Sequence, residues 1–218
     1  MVTRSGAAST RLLLTVACVL VLLPLDAAAQ RRTTTKKPPP PALKTEPAKV
    51  QCRESLGAGV RTRATYCFVL MGRDPAEGVL VTVPPHTGPA TLTLDLHNRH
   101  TYSEEDVKAG RGYAGYTAVI GILTMKGELL GRGAVRSEFR TVADLFERIG
   151  GGAGPGGVKA VAPIGRETVQ VTLPAGVTQV SLLGEVLDAL TSIGRESAGP
   201  GRPVAIVSNI QVEYRPGK

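Results

Sequence analysis

EGVLVTVPPHTGPATLTLDLHNRHTY, residues 77–102, is the stretch that decides the fold class. In its second half Leu92, Leu94 and Leu96 alternate with Thr91, Thr93, Asp95 and His97. Side chains of a strand point to opposite faces with period two, so this segment predicts a strand with an apolar inner face and a polar face in water. Residues 78–83 are almost continuously apolar through Val79, Leu80, Val81 and Val83, which predicts a partner strand covered on both sides. Between the two, Pro84, Pro85 and Pro89 lack amide donors and Gly88 permits positive φ, so the link is a turn.

Outward from this pair the same signals repeat. Trp is absent and Gly and Pro are plentiful, so the core must come from Val, Leu, Ile and Ala in short runs. Strands are predicted at 65–71, 116–124, 129–139, 158–163, 168–173, 178–186 and 204–214. The second and third of these form a hairpin around Met125-Lys126-Gly127-Glu128. In the last, Ile206, Ile210, Val212 and Tyr214 share a face opposite Asn209, Gln211 and Glu213. The run from 178 reads alternatively as a helix reaching Ile193. Two short helices are expected: residues 103–109, capped by Ser103, and residues 141–149, where Val142, Leu145, Phe146 and Ile149 fall at helical spacing behind Thr141. Residues 150–157, GGGAGPGG, form a loop. The pattern predicts an all-β protein: an antiparallel β-sandwich of jelly-roll or Greek-key type with one or two short helices.

Residues 1–29 have the pattern of a secretory signal peptide: Arg4 and Arg11, an apolar run, then Ala27-Ala28-Ala29 before Gln30. The run is short for a full span and is interrupted by Pro24 and Asp26, so the chain is expected not to span a membrane after cleavage. Residues 30–50 read as a disordered linker, in which Pro38, Pro39, Pro40 and Pro41 favour polyproline II and the lysines repel one another. Residues 51–218 are the sandwich domain.

Charge follows this division. The linker carries six basic residues against Glu46 alone, whereas the domain has 18 basic and 16 acidic residues. The linker can therefore touch anionic surfaces, while the domain lacks the basic, aromatic-interleaved stripe of a nucleic-acid binder. Cys52 and Cys67 survive cleavage, and an even pair in an exported chain predicts a disulfide.

Gly110-Arg111-Gly112-Tyr113-Ala114-Gly115 matches GxGxxG by letter, but a strand rather than a helix is expected after it, which excludes a dinucleotide site. No other sequence signature calls for a cofactor. The densest polar constellation is Asp95, His97, Asn98, Arg99, His100 and Tyr102, joined by Tyr113. Planar Asn and Arg groups give directional hydrogen bonds and Tyr gives flat apolar area, so these seven residues are the candidate ligand-binding site, for a carbohydrate or an envelope protein. Asp95 and His97 would sit about 7 Å apart on one face. The alternative is a metal-dependent hydrolase, in which Asp95, His97 and His100 offer N/O ligands suited to zinc. The leading expectation is an exported, non-catalytic protein with a binding or structural role.

Overall fold

A computed structural model describes residues 40–99, 109, 115–137, 145–150, 161–163, 166–191 and 194–217. The expected signal peptide, residues 30–39 of the linker, residues 103–108 of the expected helix, residues 151–157 of the glycine-rich loop, and His100, Tyr102 and Tyr113 lie outside these residues.

The described chain is all-β. In order, its strands are β1 (Lys44–Pro47), β2 (Lys49–Gln51), β3 (Ser55–Gly59), β4 (Thr65–Leu70), β5 (Val79–Thr82), β6 (Ala90–Asn98) and β7 (Gly115–Thr124). There follow β8 (Leu129–Ser137), β9 (Leu145–Gly150), β10 (Val161–Pro163), β11 (Glu167–Leu173), β12 (Gln179–Thr191), β13 (Gly194–Glu196) and β14 (Pro203–Tyr214). They make two antiparallel sheets. Sheet I runs β10-β9-β3-β4-β14-β6-β11, with β1 also on β14; sheet II runs β2-β5-β12-β7-β8, with β13 also on β12.

The core lies between the sheets. Leu92, Leu94 and Leu96 of β6 face it, as their alternation predicts, and share one buried cluster with Ala118, Ile120 and Ile122 of β7 and Val180 and Leu182 of β12. A smaller cluster of Leu56, Tyr66, Ile149 and Ile206 packs on the opposite face of sheet I. Both faces of the central β4-β14-β6 strip are thus buried.

The hairpin at 116–139 forms as β7 and β8, paired from Tyr116↔Ser137 to Ile122↔Gly131 and, after a register shift, at Leu123↔Leu129. Its turn is closed by Gly127 N–H donating to the Thr124 carbonyl, with Gly127 at φ 84. The disulfide joins Cys52 to Cys67 with Cα atoms 5.4 Å apart. Cys52 follows β2 in sheet II and Cys67 lies in β4 of sheet I, so the bond ties the two layers together.

Several expectations are corrected. The segments flanking the Pro/Gly link do not pair: β5 belongs to sheet II and β6 to sheet I. The three prolines carry the chain across the sandwich edge instead of reversing it within one sheet. Residues 141–149 are expected as a helix, but Leu145–Gly150 is a strand, with Gly150 and Ile149 opposite Ala58 and Gly59 of β3. The edge of β3 supplies hydrogen bonds that outweigh a short helical pattern. The possible helix after Val186 is the continuation of β12, paired along its length with β7. The helical element of the described residues is a single 3-10 turn, Pro75–Glu77, whose cap Asp74 accepts from Ala76 N–H at 2.9 Å.

The linker is shorter than expected at its C-terminal end. Lys44–Pro47 pairs with β14 and Lys49–Gln51 with β5, so residues 44–51 belong to the sandwich. Composition concealed them because their side chains are polar, yet Tyr214 donates to the Glu46 carboxylate at 2.9 Å and Lys44 pairs with Glu46. Between the two strands Ala48 N–H donates to the Ile210 carbonyl at 2.9 Å, where the chain passes from one sheet to the other. Finally, β14 does not keep one face throughout. A bulge between Ser208 and Gln211, with Asn209 at φ 50, turns Ile206 to the small cluster while Val212 and Tyr214 face the main core.

Candidate functional site

Asp95 and His97 share a face of β6, as predicted, but that face is closed. His97 and Asn98 are fully buried and Asp95 nearly so, which overturns the expectation that this corner meets water. The cause is the neighbouring strand. Register sets Ile206 opposite His97 and Ser208 opposite Asp95, and the His97 ring lies 5.6 Å from that of Tyr66 at 45°. His97 Nε2 is 2.9 Å from Ser208 Oγ. Asp95 accepts from Thr168 Oγ1 and from Asn209 Nδ2, each at 3.3 Å, and pairs with Arg166 at 3.4 Å.

Electrostatics follow from burial. Removal from water disfavours the imidazolium and lowers the His97 pKa to about 4; the nearby Asp95 carboxylate opposes this and Arg166 assists it. At neutral pH His97 is therefore an uncharged ring hydrogen-bonded between two strands. Histidine beside serine and aspartate is the residue set of acyl-transfer catalysis, but that chemistry needs a nucleophile open to substrate. Ser208 is only 3% exposed. The trio clasps β6, β14 and β11 together. Ser208 was invisible to sequence reasoning because it lies 111 residues from His97, and only the register across the bulge joins them.

Arg99 is engaged as well. Its guanidinium pairs with Glu196 at 2.6 Å and its backbone N–H donates to the Tyr116 hydroxyl at 3.1 Å. Tyr116 donates in turn to the Val204 carbonyl. Of the seven candidate residues, Asp95, His97, Asn98 and Arg99 are thus brought together along β6 and integrated into the fold, while His100, Tyr102 and Tyr113 lie outside the described residues. Among the described residues no group of three or more His, Cys, Asp or Glu side chains could hold a metal ion.

The accessible chemistry is on the outer face of sheet II. Inward residues of β7 are Tyr116, Ala118, Ile120 and Ile122, so Thr117, Val119, Gly121 and Leu123 point outward. Pairing then builds three rows across β8, β7 and β12. Arg132, Gly121 and Leu183 form one, and Glu185, at the β12 bulge beside it, pairs with Arg132 at 2.6 Å over the bare Gly121. Ala134, Val119 and Val186 form an apolar middle row, in which Val186 is 45% exposed. Arg136, Thr117 and Asp188 form the third. Beside it Arg195 pairs with Asp188 at 2.7 Å and Leu190 is 48% exposed.

This third row borders a basin of about 530 Å³ lined by Thr117, Arg136, Asp188, Leu190 and Arg195. At the other end of the face a cleft of about 850 Å³ is lined by Met71, Arg73, Glu77, Leu123, Leu183 and Glu185. Each basic side chain of the three rows has a carboxylate except Arg136, which has no ion-pair partner among the described residues. Sequence reading missed this face because no residue on it is chemically unusual; cross-strand pairing alone assembles it.

Comparison with family models, with curated proteins and with solved structures found no match. Among the described residues no helix is long and apolar enough to cross a membrane.

Proposed function

We propose that this chain is an exported, non-catalytic recognition protein of the cell envelope. In this reading a Greek-key-like sandwich is released from a signal peptide, carried on a basic Pro-rich arm, and binds a protein ligand through the outer face of sheet II. The arm adds weak contact with anionic surfaces.

The observation that supports the reading best is the contrast between two places. Of the predicted polar constellation, Asp95, His97 and Asn98 are buried in the β6–β14 clasp, whereas the apolar row of sheet II is open to solvent and flanked by charge. A polypeptide with an apolar segment and a neighbouring carboxylate complements that face, the carboxylate meeting Arg136. A sugar is a poorer fit to this face, because saccharide rings stack on exposed aromatic faces and the described residues of the outer face of sheet II include no aromatic ring, Tyr116 of β7 pointing inward.

Retention of the full chain on isolated envelope fractions tests this. Pretreating the fractions with protease should abolish retention, periodate should not, and Val186→Asp or Arg136→Glu should weaken it at least tenfold, since each acts on the proposed face. Retention lost only after periodate would identify a carbohydrate ligand. Retention indifferent to both substitutions would remove this face from the account.

A further inference from the structure

Strand β11 ends sheet I: it pairs with β6 on one side and with no other strand on the other, among the described residues. An open edge presents unpaired N–H and C=O groups to any extended chain, and folded proteins commonly blunt such edges with charge, proline or a bulge. The other terminal strands here follow that practice. Lys44 and Glu46 lie in β1, Lys49 in β2, Arg132 and Arg136 in β8, Pro163 in β10, and Arg195 and Glu196 in β13. After its first residue, Glu167, β11 carries no charge, no proline and no bulge against β6.

Its sequence is also a palindrome. Thr168-Val169-Gln170-Val171-Thr172 reads the same in both directions. Antiparallel pairing of this strand with its own copy about Gln170 sets Gln170 opposite Gln170, each Thr168 opposite a Thr172, and each Val169 opposite a Val171. Thr–Thr and Val–Val cross-strand pairs are favourable, and the two-fold operation gives a closed, isologous contact. The faces agree as well: Thr168, Gln170 and Thr172 are exposed, while Val169 and Val171 point to the core, so two sandwiches joined here keep one continuous inner face. Charge permits the contact, because Glu167 falls opposite Leu173 of the other copy and no like charges meet.

We propose that two copies of this chain dimerise by antiparallel pairing of β11 about Gln170, which makes sheet I continuous across a two-fold axis. The dimer carries two outer faces of sheet II.

Sedimentation of the full chain over a range of concentration, with Gln170→Lys, Gln170→Glu and Gln170→Cys, tests it. The wild type should be a dimer at ~100 µM. Gln170→Lys and Gln170→Glu each place like charges directly opposite one another, so the dissociation constant of each should rise at least tenfold with an unchanged circular-dichroism spectrum. Mixing the two variants should restore the dimer as a heterodimer. Gln170→Cys should cross-link under mild oxidation, because directly opposed residues have Cα atoms within disulfide range. A monomeric wild type at ~100 µM would overturn the proposal. So would a dimer that tolerates Gln170→Lys, or a Gln170→Cys variant that does not cross-link.

Discussion

His97 has no exposed surface, and its Nε2 faces Ser208 Oγ at 2.9 Å. An unfolded imidazole titrates near 6.5, whereas burial holds this one at about 4. The unfolded chain therefore binds a proton that the folded chain refuses. The stability due to a neutral His97 is complete above pH 6.5, declines as pH falls towards 4, and is lost below that. The total is about 3 kcal/mol, from a shift of this size at 1.36 kcal/mol per unit. Urea unfolding between pH 7 and pH 4 should show this decline, and His97→Gln, which cannot titrate, should flatten it. Ser208→Ala should lower stability by about 1–3 kcal/mol in the same assay at pH 7, by leaving a buried ring nitrogen without its hydroxyl partner. At this scale the sequence was legible in part. The alternation of β6 correctly put Asp95 and His97 on one face. It could not show that Tyr66, Ile206 and Ser208, far away in the chain, would cover that face.

At the scale of elements, strands with strong alternation or long aliphatic runs were readable: β6, β7, β8, β11 and β14 fall close to their predicted spans. Weaker segments were decided by tertiary partners. β9 carries helical spacing but is held as a strand by β3, and β1 is polar yet docks on β14 through Tyr214 and Glu46. Where the elements meet, the layers are close. A Cβ on Gly184 would lie 2.2 Å from Val204 Cγ2 and 3.2 Å from the backbone of Leu70, so Gly184→Ala forces the sheets apart. It should cost about 1–3 kcal/mol, seen as a lower denaturation midpoint. The Cys52–Cys67 bond closes a loop of 15 residues between the layers. Cys52→Ser should cost about 3 kcal/mol in chemical unfolding, and reductant should then have no further effect.

At the scale of the whole molecule, the two-sheet architecture was legible because aliphatic alternation, turn residues and low aromatic content all point one way. The assignment of strands to sheets was not, because a proline-rich link reads equally as a hairpin turn or as a crossing between layers. That distinction moved the functional surface. A histidine-bearing corner in water would suit ligation or catalysis; the buried clasp is why the recognition surface proposed above is the outer face of sheet II. Export predicts that the mature protein begins at Gln30, which intact-mass measurement of the chain recovered outside the cytoplasm would verify.

The clasp carries the rest of this account, and its protonation reports on it directly. We expect a nuclear magnetic resonance titration of the imidazole signals, with His97→Gln to assign them, to leave His97 neutral from pH 8 down to about pH 5 and to show its midpoint near 4. A His97 midpoint near 6.5, with ring protons exchanging freely with water, would mean that the corner is open and that the structural role given to it is wrong.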